Sequence, residues 1–101
     1  MKQRVSDYIA SFLVNRDITD IFMVVGGGAM YLNDSFGHDP DLHCTYNHHE
    51  QASAMAAEAY FKASGKVAAV CVTSGPGGIN AMNGVAGAYM DSIPILAFSV
   101  L

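Results

Sequence analysis

Val67-Ala68-Ala69-Val70-Cys71-Val72-Thr73-Ser74-Gly75-Pro76-Gly77-Gly78 decides the fold. Residues 67–73 carry no charge, and their small and β-branched side chains suit a strand covered on both faces. Glycines and a proline end the strand, and residues 79–90 continue at helical length. A fully apolar strand, a turn and a helix form half of a βαβ unit, which needs a parallel partner strand.

Working outward, the same alternation repeats. Residues 49–64 read as an alanine-rich helix that Gly65 can end as a left-handed cap. Residues 42–46 are a strand, and 29–36 a short helix closed by Gly37. Residues 21–25 form an apolar strand ended by Gly26-Gly27-Gly28. Val5, Tyr8, Ile9, Phe12 and Leu13 recur at helical spacing, so residues 2–16 read as an amphipathic helix. Residues 93–100 are a fourth strand. The pattern predicts an α/β fold, a parallel sheet with helices on both faces. Ligands in such sheets bind at the carboxyl ends of the strands. Gly26-Gly27-Gly28, Asn47-His48-His49-Glu50 and Ser74-Gly75-Pro76-Gly77 all follow strands and therefore share that edge.

Composition narrows the function. The 101 residues suffice for one domain, taken as 1–101, with 51% apolar and 14% charged residues. The net charge is -4 with only five Lys and Arg, and no basic run exists, so nucleic acid is not an expected partner. No apolar run approaches the ~20 residues of a membrane span. The N-terminal residues lack the apolar core of a secretory signal. Cys44 and Cys71 sit in apolar runs and read as buried free thiols. These features together predict a cytoplasmic protein with no membrane contact.

Glu50 is the leading candidate for chemistry. It stands between polar residues and the nearly uncharged stretch 52–61, where burial lifts a carboxylate's pKa toward working pH. The plain alternative is a helix-start acid favoured by the helix dipole. Gly26-Gly27-Gly28 fails the dinucleotide fingerprint, because Tyr31 occupies the last glycine position. It reads as a tight turn still able to line a flat ligand. His43, His48 and His49 lack metal-binding spacing, so structural or surface roles are expected and no metal site. The small residues Ala52, Ala54, Ala56, Ala57, Ala59, Gly84, Gly87 and Ala88 indicate close helix packing, against the sheet or another subunit.

An ordered series then emerges: His49-Glu50-Gln51, Ala56-Ala57-Glu58-Ala59-Tyr60, Thr73-Ser74-Gly75-Pro76-Gly77-Gly78-Ile79-Asn80 and Ala88-Tyr89-Met90-Asp91-Ser92-Ile93-Pro94. It resembles the N-terminal pyrimidine-binding domain of thiamine diphosphate enzymes of the acetolactate synthase type. The resemblance implies a catalytic glutamate, matching Glu50, that hydrogen-bonds the cofactor's N1′ and favours the imino tautomer which removes the thiazolium C2 proton. It implies cofactor contacts at Val25, Gly27, Glu50, Thr73, Pro76 and Asn80. The implied activity is that of a lyase or carboligase acting on a 2-oxo acid such as pyruvate, in a homo-oligomer. The cofactor would lie between this domain and a diphosphate-binding domain of a partner subunit, which holds Mg2+. FAD is a further cofactor that the resemblance admits.

Two differences from the family bear on the substrate. Val24-Val25-Gly26-Gly27-Gly28 lacks the proline of the family's Gly-x-Pro-Gly-Gly turn, and His48 replaces the usual arginine. No Gly-Asp-Gly occurs, so the chain is expected to be a fragment, inactive alone and at most a weak cofactor binder. The competing expectation is a non-catalytic α/β association module.

Overall fold

Each short apolar run forms a strand and each longer segment between them a helix. In chain order these are α1 (Val5–Asn15), β1 (Asp20–Met23), α2 (Met30–His38), β2 (His43–Tyr46), α3 (Glu50–Ser64), β3 (Ala69–Val72), α4 (Pro76–Met90) and β4 (Leu96–Ser99). The structure is a computed structural model that describes residues 2–100. The strands pair in parallel in the order β2-β1-β3-β4, with Phe22 opposite both Thr45 and Val70. β3 lies inside the sheet, which explains why all four of its residues are buried.

Period-two alternation divides the core into two layers. Ile21, Met23, Ala69 and Cys71 pack with Ala10 and Leu13 of α1 and Phe36 of α2. Val70 and Val72 pack with Ala54 and Ala57 of α3 and Ala81 of α4. Helices therefore cover both faces, as the sequence predicts. All strand ends point the same way, so the three polar or glycine-rich turns do share one edge.

Several boundaries differ from the sequence reading, each for a local reason. α2 runs through Gly37 to His38, so Gly37 is not its cap. Pro40 ends it instead, because the residue before proline avoids helical backbone, and Asp39 is extended at φ -76°, ψ 118°. α4 begins at Pro76 rather than 79, with Pro76 at the first helical position, where its missing N–H costs nothing. β4 starts only at Leu96, because Ser92 is left-handed (φ 56°) and Pro94 has no N–H for the ladder. Gly65 caps α3 as expected, at φ 76°, donating its N–H to the Phe61 carbonyl at 2.8 Å.

Gly84 of α4 is explained by packing inside the chain. A Cβ on Gly84 would stand 2.4 Å from Ala54 Cβ and 2.9 Å from the Met55 backbone nitrogen. The two helices therefore cross almost backbone to backbone. Helix against helix within one chain, rather than the sheet or another subunit expected from the sequence, accounts for Gly84.

Candidate functional site

Glu50 begins α3, and His49 before it is the N-cap, its Nδ1 accepting the Gln51 backbone N–H at 3.1 Å. That bond gives His49 a structural role. Among the described residues, no group of three His, Cys, Asp or Glu side chains stands close enough to hold a metal. No helix of the described residues is long and apolar enough to cross a membrane.

The Glu50 carboxylate is held from α4. Asn80 Nδ2 donates to Glu50 Oε1 at 3.1 Å. Among the described residues, Oε2 has no protein donor. A Cβ on Gly77 would stand 3.6 Å from Oε2, so glycine leaves that oxygen open on its α4 side. Glu50 is half-buried rather than enclosed, which corrects the expectation of a carboxylate cut off from water. The physical reason is its place at the sheet edge, where α3 and α4 flank it and, among the described residues, it stays partly open to solvent.

Thr73 is the hub between the two glycine turns. Its side chain lies where a Cβ on Gly26 would come, 2.6 Å from its own Cβ, and 3.1 Å from a Cβ on Gly77. A Cβ on Gly28 would meet Thr73 Oγ1 at 3.0 Å and Ser74 Oγ at 3.3 Å. Both turns thus rest on one threonine, and glycine suits them because their backbones approach its side chain so closely. A continuous line of contact runs from Gly26 through Thr73 and Gly77 to Glu50 and Asn80.

The remaining candidates lie on the solvent side of the same edge. Val25 is 61% exposed. Gly27 is exposed with nothing within 4 Å of its added Cβ, and Pro76 is exposed at the start of α4. None of the three is needed to fill the core. A cavity of about 500 Å³ between α1 and α2 touches the first turn at Gly28 and is lined by Val5, Ile9, Tyr31 and Val100, away from Glu50.

Two supporting residues escaped the sequence reading. Ser53, fully buried on α3, donates its hydroxyl to Asn47 Oδ1 at 2.9 Å and so ties the β2 turn to the helix of Glu50. Asn33 on α2 accepts the Gly26 backbone N–H at 3.3 Å. The signal for Asn33 was present: with Ala29 and Phe36 it occupies i, i+4 and i+7, a polar residue on the buried stripe of a helix.

Both cysteines are free thiols. Cys71 is buried and Cys44 half-buried. Burial pushes the Cys71 thiol up to about 11, and burial likewise raises Cys44.

Comparison with known proteins gives the same family as the motifs. Residues 3–101 match the model of the thiamine pyrophosphate enzyme N-terminal TPP-binding domain. The chain is 39% identical over 94 residues to the acetolactate synthase large subunit of Lactococcus lactis, which covers 93% of this chain and 16% of that protein. It is 37% identical over 94 residues to the acetolactate synthase large subunit of Buchnera aphidicola from Schizaphis graminum, with the same 93% and 16% coverage. Against the acetolactate synthase isozyme 3 large subunit of Escherichia coli the identity is 34%, again over 93% of this chain and 16% of that protein. The chain thus spans about a sixth of the length of these relatives.

Proposed function

The chain belongs to the thiamine pyrophosphate enzyme N-terminal TPP-binding domain family, and on that premise we propose that it is the pyrimidine-binding part of a thiamine diphosphate-dependent enzyme acting on a 2-oxo acid such as pyruvate. The observation that carries this reading is the state of Glu50. One carboxylate oxygen is fixed by Asn80, and the other is left beside a glycine with no protein donor among the described residues. A carboxylate arranged in this way fits the N1′ edge of an aminopyrimidine, which offers one hydrogen-bond partner.

When bound, thiamine diphosphate supplies the carbon nucleophile for making and breaking bonds beside the carbonyl of the 2-oxo acid. The chain's own residues bind and orient. Glu50 would hold a proton toward the N1′ edge of the bound ring, and Asn80, donating to Oε1, keeps the carboxylate from rotating away. Pro76 and Gly77 would present the start of α4 to the ring, and a Cβ on Gly77 would press on Thr73 at 3.1 Å. Val25 and Gly27 form the rim toward the substrate, and Thr73 holds that rim against the second turn.

Two further elements complete the reading. The carboxylate stands at an open edge, and exclusion of water there needs a second surface. We assign that surface to the diphosphate-binding domain of a partner subunit in a homo-oligomer. Magnesium, the diphosphate and any FAD fall to surfaces outside this chain, and carboligation as in the acetolactate synthases is the reaction proposed. A cytoplasmic location accords with the two free thiols.

The test is Glu50→Gln in the full-length protein. Thiamine diphosphate-dependent turnover of pyruvate should be abolished while the fold, followed by circular dichroism, is retained. Near-normal turnover in this variant would overturn the assignment of Glu50.

A further inference from the structure

We propose that Asn33 is a positioning residue that fixes the first glycine turn and thereby aims the Val25 carbonyl at the substrate; the substrate half of this proposal rests on the function proposed above. Asn33 lies on α2, away from Glu50 in the chain, and no motif includes it. Its Oδ1 accepts the Gly26 N–H at 3.3 Å. Its Nδ2 is directed at two sulfur atoms, Met23 Sδ at 3.2 Å and Cys71 Sγ at 3.8 Å. Met23 and Cys71 are fully buried at the ends of β1 and β3. The amide is therefore inserted beneath the turn, between it and the strand ends.

The surroundings fix which way the amide faces. Turned over, its NH2 would confront the Gly26 N–H and its oxygen would face two sulfurs, which are poor donors or none. The observed orientation is thus the only one that satisfies the Gly26 N–H. Leucine would match asparagine in size and suit the sulfurs better, so packing does not require a polar residue here. The hydrogen bond does.

The consequence follows from peptide geometry. The Val25–Gly26 peptide is trans, as no peptide bond among the described residues is cis. Its N–H and the Val25 C=O therefore point in opposite directions. With the N–H pinned inward on Asn33, the carbonyl points outward from the turn, on the side where Val25 is exposed. A backbone acceptor is held there on a turn whose glycines give it little stiffness of its own. Asn33 reaches substrate only through this peptide, which is why its role is positioning.

The experiment uses the full-length protein loaded with thiamine diphosphate and magnesium, with pyruvate as the 2-oxo acid, and the variants Asn33→Leu and Asn33→Asp. Hydrogen exchange at the Gly26 amide should accelerate about fivefold or more in Asn33→Leu, the loss expected for one net hydrogen bond. KM for pyruvate should rise by about the same factor, with the Kd for thiamine diphosphate within about twofold of wild type. Asn33→Asp keeps an acceptor of the same shape and should recover most of both effects. Unchanged exchange at Gly26 in Asn33→Leu would overturn the pin. Faster exchange with unchanged KM, or KM and cofactor Kd rising together, would overturn the substrate role. A wild-type protein that binds no thiamine diphosphate would overturn the proposed function and the substrate role with it, while the exchange result would still decide the pin.

Discussion

Replacing Gly84 by alanine sets helix propensity against packing, and the structure fixes the sign. In the interior of α4 alanine is favoured over glycine by about 1 kcal/mol. The added methyl, however, would stand 2.4 Å from Ala54 Cβ, 2.9 Å from Met55 N and 3.0 Å from the Ala54 carbonyl carbon. Ordinary carbon contacts need about 3.5–4.0 Å, so α3 and α4 must separate by roughly 1 Å. Two of the opposing atoms are backbone and cannot swing aside. Forced overpacking of this kind costs about 3 kcal/mol, leaving a net loss of about 2 kcal/mol after the propensity gain. In equilibrium urea unfolding followed by circular dichroism, the midpoint should fall by about 1 M for a slope near 2 kcal/mol/M. The same separation stretches the 3.1 Å bond from Asn80 to Glu50, since the two residues lie on the two helices. Cofactor affinity should therefore fall with stability. Adding Ala54→Gly removes the opposing methyl and should recover part of the loss, a coupling that a double-mutant cycle reads directly. A raised urea midpoint for Gly84→Ala, or strict additivity with Ala54→Gly, would refute the close-crossing argument.

Adjacent glycines of the first turn should respond oppositely. Gly26→Ala drives a methyl to 2.6 Å from Thr73 Cβ and should lower the thermal midpoint, whereas Gly27→Ala meets nothing within 4 Å and should leave it unchanged; equal effects would contradict the role of Thr73 as hub. Tyr60 donates to Asp20 Oδ2 at 2.6 Å, so Tyr60→Phe should cost about 1.5 kcal/mol in urea unfolding at neutral pH. That bond, the first cause, raises the Tyr60 pKa; its contribution is present below the ordinary tyrosine value of about 10 and is lost as pH rises through the raised one, so wild type and variant should converge in strong alkali. With its thiol pushed up to about 11, Cys71 at pH 8 is thiolate in only about one molecule in a thousand. Iodoacetamide should label it at a useful rate only after unfolding, and native labelling as fast as a peptide cysteine would contradict its burial.

The α/β class and the shared edge were legible in the sequence because they rest on local patterns. The uncharged run at 67–73 can be stable only as a covered strand, and turns after parallel strands must fall on one side. Glu50 was legible for the same reason, since a lone acid between polar residues and an alanine helix marks a helix start beside a strand end. Boundaries failed at prolines, each for its own reason: the residue before Pro40 avoids helical backbone, Pro76 suits a first helical position, and Pro94 has no N–H for the ladder.

Local patterns were therefore enough for the order of elements, the two faces of the sheet and the place of Glu50 at a helix start. The tertiary structure decided what touches that acid. Asn80 reaches Glu50 because α3 and α4 cross closely, with Gly84 against Ala54, and Thr73 reaches the first glycine turn because β1 and β3 are neighbours in the sheet. Asn33 reaches Gly26 only because α2 folds back over the ends of β1 and β3. Periodicity reports which side of an element is buried, whereas the pairing of one side chain with another depends on distances between elements that no local pattern encodes.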